Sequence, residues 1–559
     1  MSAAQELAER GFEVEVFESK PAWGGKARSL LVPGTGKDGR QDLPGEHGFR
    51  FFPSFYKHLP DTMKRIPYGS NLIGVFDNLV YSSRMQIARA GKCSVIEPSR
   101  FPQTLDDCLT VLTSLFTPLG IPDAETAFFV DRLLVLLTTC PERRLAEYEN
   151  IAWWDFIDAK NKSVEYQRYL GQGLTRSLVA MRAEVSSLRT VGYILLQLLL
   201  GLLTPQGFDR LLNSPTNDAW IVPWVRHLTQ LGVKLHAAAP VESINLDGGS
   251  VRSVTVEPAG EPAEVTADYY IAAVPVEVMS RLATDAIKTA APSLANLEKL
   301  QTRWMNGIQF YFGKDVPLMP GHVNFVDSPW ALTSVSQHQF WNGVYLAGYG
   351  DGRLGGIISV VISDWQAPGV VYGKPAMQLS AEQIRNETWA QMKSALDVDG
   401  TRELEEANLI TWFLDPDIQF PNPTTVTNLE PLLTNTVGSL QYRPEAHTEI
   451  ANLYVASDYV RTYTDIATME AANEAARRAT NAILDVAGSA APRCSLWPFE
   501  EPEVFNRSRS TTGCALSWVC RMTRSSRLME KPQRCHPEAQ RGADLYLKTL
   551  LPRPDGVSG

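Results

Sequence analysis

The chain has 559 residues, of which 44% are hydrophobic and 20% charged, and a formal net charge of −10. That is the make-up of a globular protein of two or more structural units, with enough chain to enclose a large ligand. The acidic balance argues against nucleic acid as the main partner. Seven scattered cysteines with no C-x-x-C pair, and eight histidines that do not cluster, argue against a disulfide framework and a structural metal.

In chain order, residues 2–10 read as a helix whose small residues Ser2, Ala3 and Ala4 share one side, closed by Gly11. Residues 12–18 alternate as a strand that ends on Glu18. Helix, glycine, strand and terminal carboxylate make the second half of a Rossmann-type βαβ unit. The first half, an apolar strand followed by G-x-G-x-x-G, does not precede it, so a truncated start is expected. Met1 leads into Ser-Ala-Ala-Gln-Glu with no basic start and apolar run, so no secretory leader is read. With the cysteine usage, this points to a cytoplasmic protein, a peripheral membrane contact being left open.

A carboxylate at such a strand tip suits the two ribose hydroxyls of adenosine. After Glu18 come Lys20, Gly24, Gly25, Lys26, Arg28 and Ser29. The glycine pair lets backbone approach a pyrophosphate closely, and the basic residues can add charge-assisted hydrogen bonds. A Gly-Gly turn with surface charges is the plainer alternative. Residues 45–56, Gly-Glu-His-Gly-Phe-Arg-Phe-Phe-Pro-Ser-Phe-Tyr, crowd aromatic rings and Arg50 into a glycine-flexed segment. Such rings pack against a flat cofactor or an apolar substrate, or form a core strand and turn.

Residues 104–208 are rich in helix signals, with a capping box at Thr104 to Asp107 and an apolar helix at 128–140. The longest apolar run, 191–203, contains Gln197 and is shorter than the ~20 residues a membrane span needs. It reads as a buried helix, or as one lining a lipid-like pocket. Short strands follow over 235–257 around an Asp-Gly-Gly turn, and 269–274 reads as a buried strand. Residues 304–312 and 343–349 read as strands of an antiparallel sheet, and Ser380 to Gln383 as a second capping box. Residues 452–456 form a short buried strand leading to Asp458, and a helix runs over 468–484 from Thr468 and Met469, with Ala472, Ala475, Ala479 and Ile483 on one stripe. A helix N-terminus there offers free N–H groups and positive potential to an electron-rich ring. From residue 507 to 559 the chain carries ten basic and four acidic residues and no helix or strand period, so residues 489–559 read as a disordered or non-native tail.

Glu18, Gly24-Gly25-Lys26, the 45–56 segment and the strand–Asp458–Met469-Glu470 arrangement together resemble the flavin-containing amine oxidase and phytoene desaturase superfamily. The bacterial phytoene desaturase and hydroxysqualene dehydroxylase-like group is the nearest match in character. The resemblance covers about residues 1–505. It implies an α/β fold: a discontinuous glutathione-reductase-like FAD domain with an inserted mixed α/β substrate domain. Residues 1–100, 213–282 and 431–488 would bind FAD; 101–212 and 283–430 would be the helical and sheet parts of the substrate domain.

Carried over by that resemblance, Glu18 holds ribose, Gly25 and Lys26 lie by the pyrophosphate and isoalloxazine, Val241 contacts adenine through its backbone, and Asp458 and Met469 close the site. Arg50, Tyr56 and Tyr463 are candidate pocket residues, and no catalytic residue is assigned. The family's amine oxidases usually keep a lysine on the strand corresponding to 304–312, and this chain has none there. The implied activity is hydride transfer from an apolar, isoprenoid-like molecule to FAD, with no metal and no nucleic acid. A flavin amine oxidase and an inactive truncated flavoprotein are the alternatives.

Overall fold

The computed structural model describes residues 1–82, 84–98, 117–201, 209–398, 400–422 and 425–510. The helix Ser2–Ala8 is followed by Gly11 at φ +85°, a left-handed conformation that glycine adopts without a Cβ clash. Its buried Ala3 shares a core with Ala475, Ala476 and Ala479 of the helix Met469–Val486. Small residues on both sides let the two helices pack closely. Asn473 Nδ2 donates to Ser2 Oγ at 3.0 Å across the contact.

The strand Glu15–Phe17 pairs in parallel with Lys234–His236, and Tyr270–Ala272 pairs in parallel with Leu453–Val455. Among the described residues no strand bridges these two pairs. A large cavity opens between them instead, and residues of both pairs line it. Beside them the hairpin Val241–Asp247/Ser250–Val256 turns through Gly248 at φ +58°, as the Asp-Gly-Gly signal requires.

The second lobe is a seven-stranded mixed sheet in the order Leu409–Leu414, Asn306–Phe312, Gly356–Ile362, Thr333–Ser336, Gly321–Phe325, Arg84–Arg89, Lys92–Pro98. Asn306–Phe312 and Gly356–Ile362 are buried along their whole length, so apolar residues predominate on both faces of each, with Asn306, Gln309 and Ser359 as buried polar exceptions. The helix Ala381–Leu396 covers one face, its Trp389 ring 5.3 Å from Phe310. It opens with the expected capping box of Ser380 and Gln383. Residues 343–349 are not a strand. Gly343 turns at φ +82° and Leu346–Gly348 form a single 3-10 turn, while Thr333–Ser336 and Gly356–Ile362 occupy the sheet positions.

A helical layer completes this lobe. Asp123–Thr138 and Leu188–Gly201 pack around Phe129, Leu133, Trp153 and Tyr166. The capping box at Thr104 to Asp107 lies outside the described residues. No helix among those described is long and apolar enough to cross a membrane. Residues 489–510 depart from the tail expected there. They run as a strap from the helix Met469–Val486 to the helical layer, placing the Phe499 ring 5.7 Å from Phe55 and 5.9 Å from Tyr193. The reading missed it because an extended strap has no hydrophobic period of its own; its rings find partners only in the folded molecule.

Candidate active site

The cavity has a volume of about 1580 Å³, more than a single drug-sized ligand fills. Glu18, Gly24, Gly25, Lys26, Arg50, Tyr56, Val241, Asp458, Thr468 and Met469 all line it. These residues come from separated stretches of chain, each at the end of an element. Glu18 follows the strand Glu15–Phe17 and is held by a bond from its own N–H to His236 O at 2.9 Å; its Oε1 accepts from Lys20 N at 2.9 Å. Gly24 and Gly25 stand at φ +109° and +55°, opening the turn Gly25–Ala27. A Cβ on Gly25 would meet nothing within 4 Å, so the backbone faces open space there. Thr468 caps the helix Met469–Val486, its Oγ1 accepting from Ala471 N at 3.1 Å. The first N–H groups of that helix have no intrahelical acceptors.

The loop between Val455 and Thr468 is fastened by Arg443, whose side chain is 1% exposed. Its guanidinium donates to Tyr459 O at 3.1 Å, Asp465 O at 3.0 Å and Val460 O at 3.0 Å, and to Asp458 O. Burial lowers its pKa to about 9 despite the nearby Asp458. Arg50 donates to Gly48 O at 2.8 Å and to Lys26 O, bracing the turn from behind. Burial lowers its pKa as well.

Three expected site residues are placed elsewhere. Lys20 and Arg28 are not on the cavity wall. Lys20 Nζ lies 3.2 Å from Asp417 Oδ1 and also contacts Glu430, while Arg28 Nη2 lies 3.1 Å from Asp417 Oδ2. These cations turn from the cavity because two buried carboxylates, about 400 residues away in sequence, need countercharges. Tyr463 is 42% exposed, with Arg478 4.7 Å above its ring, and does not line the cavity. Its N–H is tied to Glu474, which turns the ring outward.

One cluster was not legible in sequence. His47 Nδ1 lies 2.6 Å from Asp415 Oδ2, 3.7 Å from Glu430 Oε2 and 3.8 Å from Asp417 Oδ2. His47, Asp417 and Glu430 bring ligand atoms within 4.8 Å of one another, a spacing that suits a metal ion. Lys20 and Arg28 already supply the positive charge on both carboxylates, so the cluster is complete as an ion-pair network. Burial opposes charge on Glu430, but Lys20, His47 and Arg28 outweigh it and hold its carboxyl at about 2. Burial, Glu430 and Asp415 push Asp417 upward. The only sequence signal was a histidine in the aromatic segment; its carboxylate partners lie beyond residue 400.

The strand Asn306–Phe312 carries no lysine, and the structure shows why one position cannot take a side chain. A Cβ on Gly307 would lie 2.8 Å from His47 O and 2.9 Å from Gly48 Cα. Gly307 N also donates to His47 O at 2.7 Å, binding the 46–50 segment flat against the sheet.

Glycine turns, a strand-tip carboxylate and a helix N-terminus around one cavity are the features that a Rossmann-type dinucleotide site uses. A family model described as flavin containing amine oxidoreductase matches residues 1–484. The chain belongs to that family and is an FAD-dependent oxidoreductase. Solved structures share the fold over 87% of this chain and 96% of theirs. Among them are an oxidoreductase from Methanosarcina mazei (14% identity, TM-score 0.54), a putrescine oxidase bound to putrescine (12%, 0.56) and a putative protoporphyrinogen oxidase from Exiguobacterium (16%, 0.51). A search of curated proteins finds no sequence match.

FAD fits the residues present. The open face at Gly25, the helix capped by Thr468 and the carboxylate of Glu18 are the donor and acceptor types that pyrophosphate, flavin and ribose require. When bound, FAD supplies the two-electron acceptor. Gly24 and Gly25 would let the backbone approach the cofactor, beside the loop that Arg443 fastens.

Proposed function

We propose that this protein dehydrogenates an apolar, isoprenoid-like substrate, in the manner of the phytoene desaturase and hydroxysqualene dehydroxylase-like group. The observation that carries this reading is the chemistry of the cavity wall beside the sheet. Phe49, Phe51, Tyr56, Trp220, Met305 and Val361 face the space there. Such a wall gains by covering hydrocarbon, at about 25 cal/mol per Å² of apolar surface removed from water. An ammonium substrate would need an unpaired carboxylate. On the wall beside the sheet Glu430 is the carboxylate at hand, and Lys20 and Arg28 already hold its oxygens, while Glu18 and Asp458 belong to the proposed cofactor end. The absent lysine on Asn306–Phe312 favours the same side.

In this reading Glu18 takes the ribose, Gly24, Gly25 and Lys26 the pyrophosphate and ring edge, Val241 the adenine, and Asp458, Thr468 and Met469 the flavin end. These stretches, with the parallel strands beside them, make up a discontinuous FAD domain, and the seven-stranded sheet with its helices makes up the substrate domain. A water-insoluble substrate is collected from a membrane, so a peripheral membrane contact belongs to the reading. The fully exposed Leu72, 97% accessible, is a suitable anchor.

The test is anaerobic bleaching of the FAD-loaded protein at flavin wavelengths. Phytoene or squalene in detergent is expected to bleach the flavin, and putrescine or cyclohexylamine to leave it oxidised. Bleaching by the amines alone would replace this reading with an amine oxidase.

A further inference from the structure

We propose that a small cleft formed by Arg176, Arg182, Arg303 and Ser363 binds a phosphoryl group, either as free phosphate or as the headgroup of a lipid. The cleft shares no lining residue with the large cavity, so its reading is independent of the substrate that the cavity takes. Three stretches of chain meet there. The helix Leu174–Val179 and the turn after it bring Arg176 and Arg182, the strand Gln301–Arg303 brings Arg303, and Ser363 to Gln366 follow the end of the strand Gly356–Ile362.

Charge is the first observation. Three guanidiniums face one carboxylate in a chain whose formal net charge is −10. Asp364 is already committed. Its Oδ2 accepts from Arg176 Nη1 at 3.1 Å, and its Oδ1 accepts from Gln366 N and Ala367 N, each at 3.1 Å. Among the described residues Arg182 and Arg303 form no ion pair. Both donate to one neutral oxygen, Gln366 Oε1, with Arg182 Nη2 at 2.7 Å. Two cations drawn to a single amide oxygen repel each other, and burial together with the Arg182 charge lowers the pKa of Arg303 against a smaller pull from Asp364.

The second observation is a set of buried donors without acceptors. Ser363 is 3% exposed, and neither its Oγ nor Arg176 Nε has a hydrogen-bond partner. A buried polar group left so costs about 1–3 kcal/mol, which an incoming oxygen would recover. The floor beneath them is rigid. Trp330 O accepts from Ser363 N at 3.1 Å and from Asp364 N at 3.0 Å, and the Trp304 and Trp365 rings stand 5.5 Å apart edge to face.

Size and donor number choose the ligand. The space is about 70 Å³. Pockets for drug-sized molecules begin at roughly 300 Å³, so one small group fits and a ring system does not. Two guanidinium forks, a hydroxyl and Arg176 Nε offer more donors than the two oxygens of a carboxylate can take. A phosphoryl group has three or four oxygens, and arginine forks match them.

The experiment titrates inorganic phosphate into the full-length protein by calorimetry, and phosphatidylcholine vesicles with and without phosphatidic acid by co-sedimentation. Wild type is expected to bind a probe saturably, once per chain. Arg182→Gln and Arg303→Gln should each weaken binding about ten- to a hundredfold, the value of one charge-assisted contact. Arg281→Gln, an equal loss of charge on an exposed helical position, should leave it unchanged. Gln366→Glu covers the case in which an arginine variant folds poorly. Its carboxylate would give both guanidiniums a permanent partner, so the thermal midpoint without phosphate should rise and binding should be lost. Capture by phosphatidic acid vesicles that phosphate reverses assigns the group to a lipid; phosphate binding without capture assigns it to the free ion. Failure of both probes to bind wild type, binding that the arginine variants leave unchanged, or binding retained in Gln366→Glu overturns the assignment.

Discussion

Glu46, next to His47, is a carboxyl for which the balance of burial and partners sets a pH dependence. It is fully enclosed, with Thr216 N at 3.2 Å and Thr216 Oγ1 at 3.1 Å as donors. Burial raises its pKa to about 7, against a smaller opposing pull from Arg50. The folded protein thus holds this proton more tightly than the unfolded chain does. The stabilisation is complete below the ordinary glutamate range and is lost as pH rises through 7. A shift of that size corresponds to about 3 kcal/mol at most. Glu430 works the other way, its contribution being present above the ordinary range and lost as pH falls toward 2. The expected outcome is that Glu46→Gln narrows the loss of stability between about pH 5 and pH 7, measured by denaturant unfolding. An unchanged slope would show that Glu46 is charged in the folded state.

At this scale the sequence was legible where a residue acts through its own backbone or through the end of its own element. Gly24 and Gly25 are glycine because the turn runs through positive φ, and Glu18 directly follows its strand. Lys20 and Arg28 were misplaced for the opposite reason. A long charged side chain goes where the buried countercharge is, and Asp417 and Glu430 reach that place only through tertiary folding.

Among elements, the strap of residues 489–510 joins two layers. It lies past residues 1–484, which the family model matches. Asn481 holds Cys494 through bonds of 3.0 Å and 2.6 Å, Trp497 N donates to His58 Nε2 at 3.0 Å, and Gln197 Nε2 donates to Glu500 O at 2.9 Å. Arg144 and Arg509 both pair with Glu501. Half-burial of Leu496, Trp497 and Phe499 is worth about 3 kcal/mol together. A chain ending at residue 488 is expected to unfold several degrees below one ending at residue 510, with the helical layer releasing first in hydrogen exchange. Equal midpoints would mean that the strap adds no stability.

The helices Ala381–Leu396 and Met469–Val486 were readable as elements because each has a capping residue and an apolar stripe. Residues 343–349 were misread because a short apolar run bounded by glycine fits a turn as well as a strand. Only competition for places in the seven-stranded sheet separates the two.

At the scale of the whole molecule, the two parallel strand pairs stand apart across the cavity, and its walls come from both lobes. A ligand filling that space would bridge the two strand pairs and the lobes that line it. FAD should therefore raise the thermal midpoint by mass action, adding about 2.7 kcal/mol at a hundredfold excess over its Kd. On the proposed placement of FAD, protection from hydrogen exchange should concentrate at the cavity-lining parts of residues 11–28 and 456–472. Protection spread evenly over the seven-stranded sheet would place FAD elsewhere.

By itself the sequence determined the cofactor class and the local elements that now line the cavity. Glycine turns, a strand-tip carboxylate and a capped helix are local devices, written within a few residues of one another. The tertiary structure alone decided which charges reach the cavity and which are consumed beneath it. Asp415, Asp417 and Glu430 meet His47, Lys20 and Arg28 across about 400 residues. Buried charges must find partners in space, and nothing in the local pattern records who those partners are.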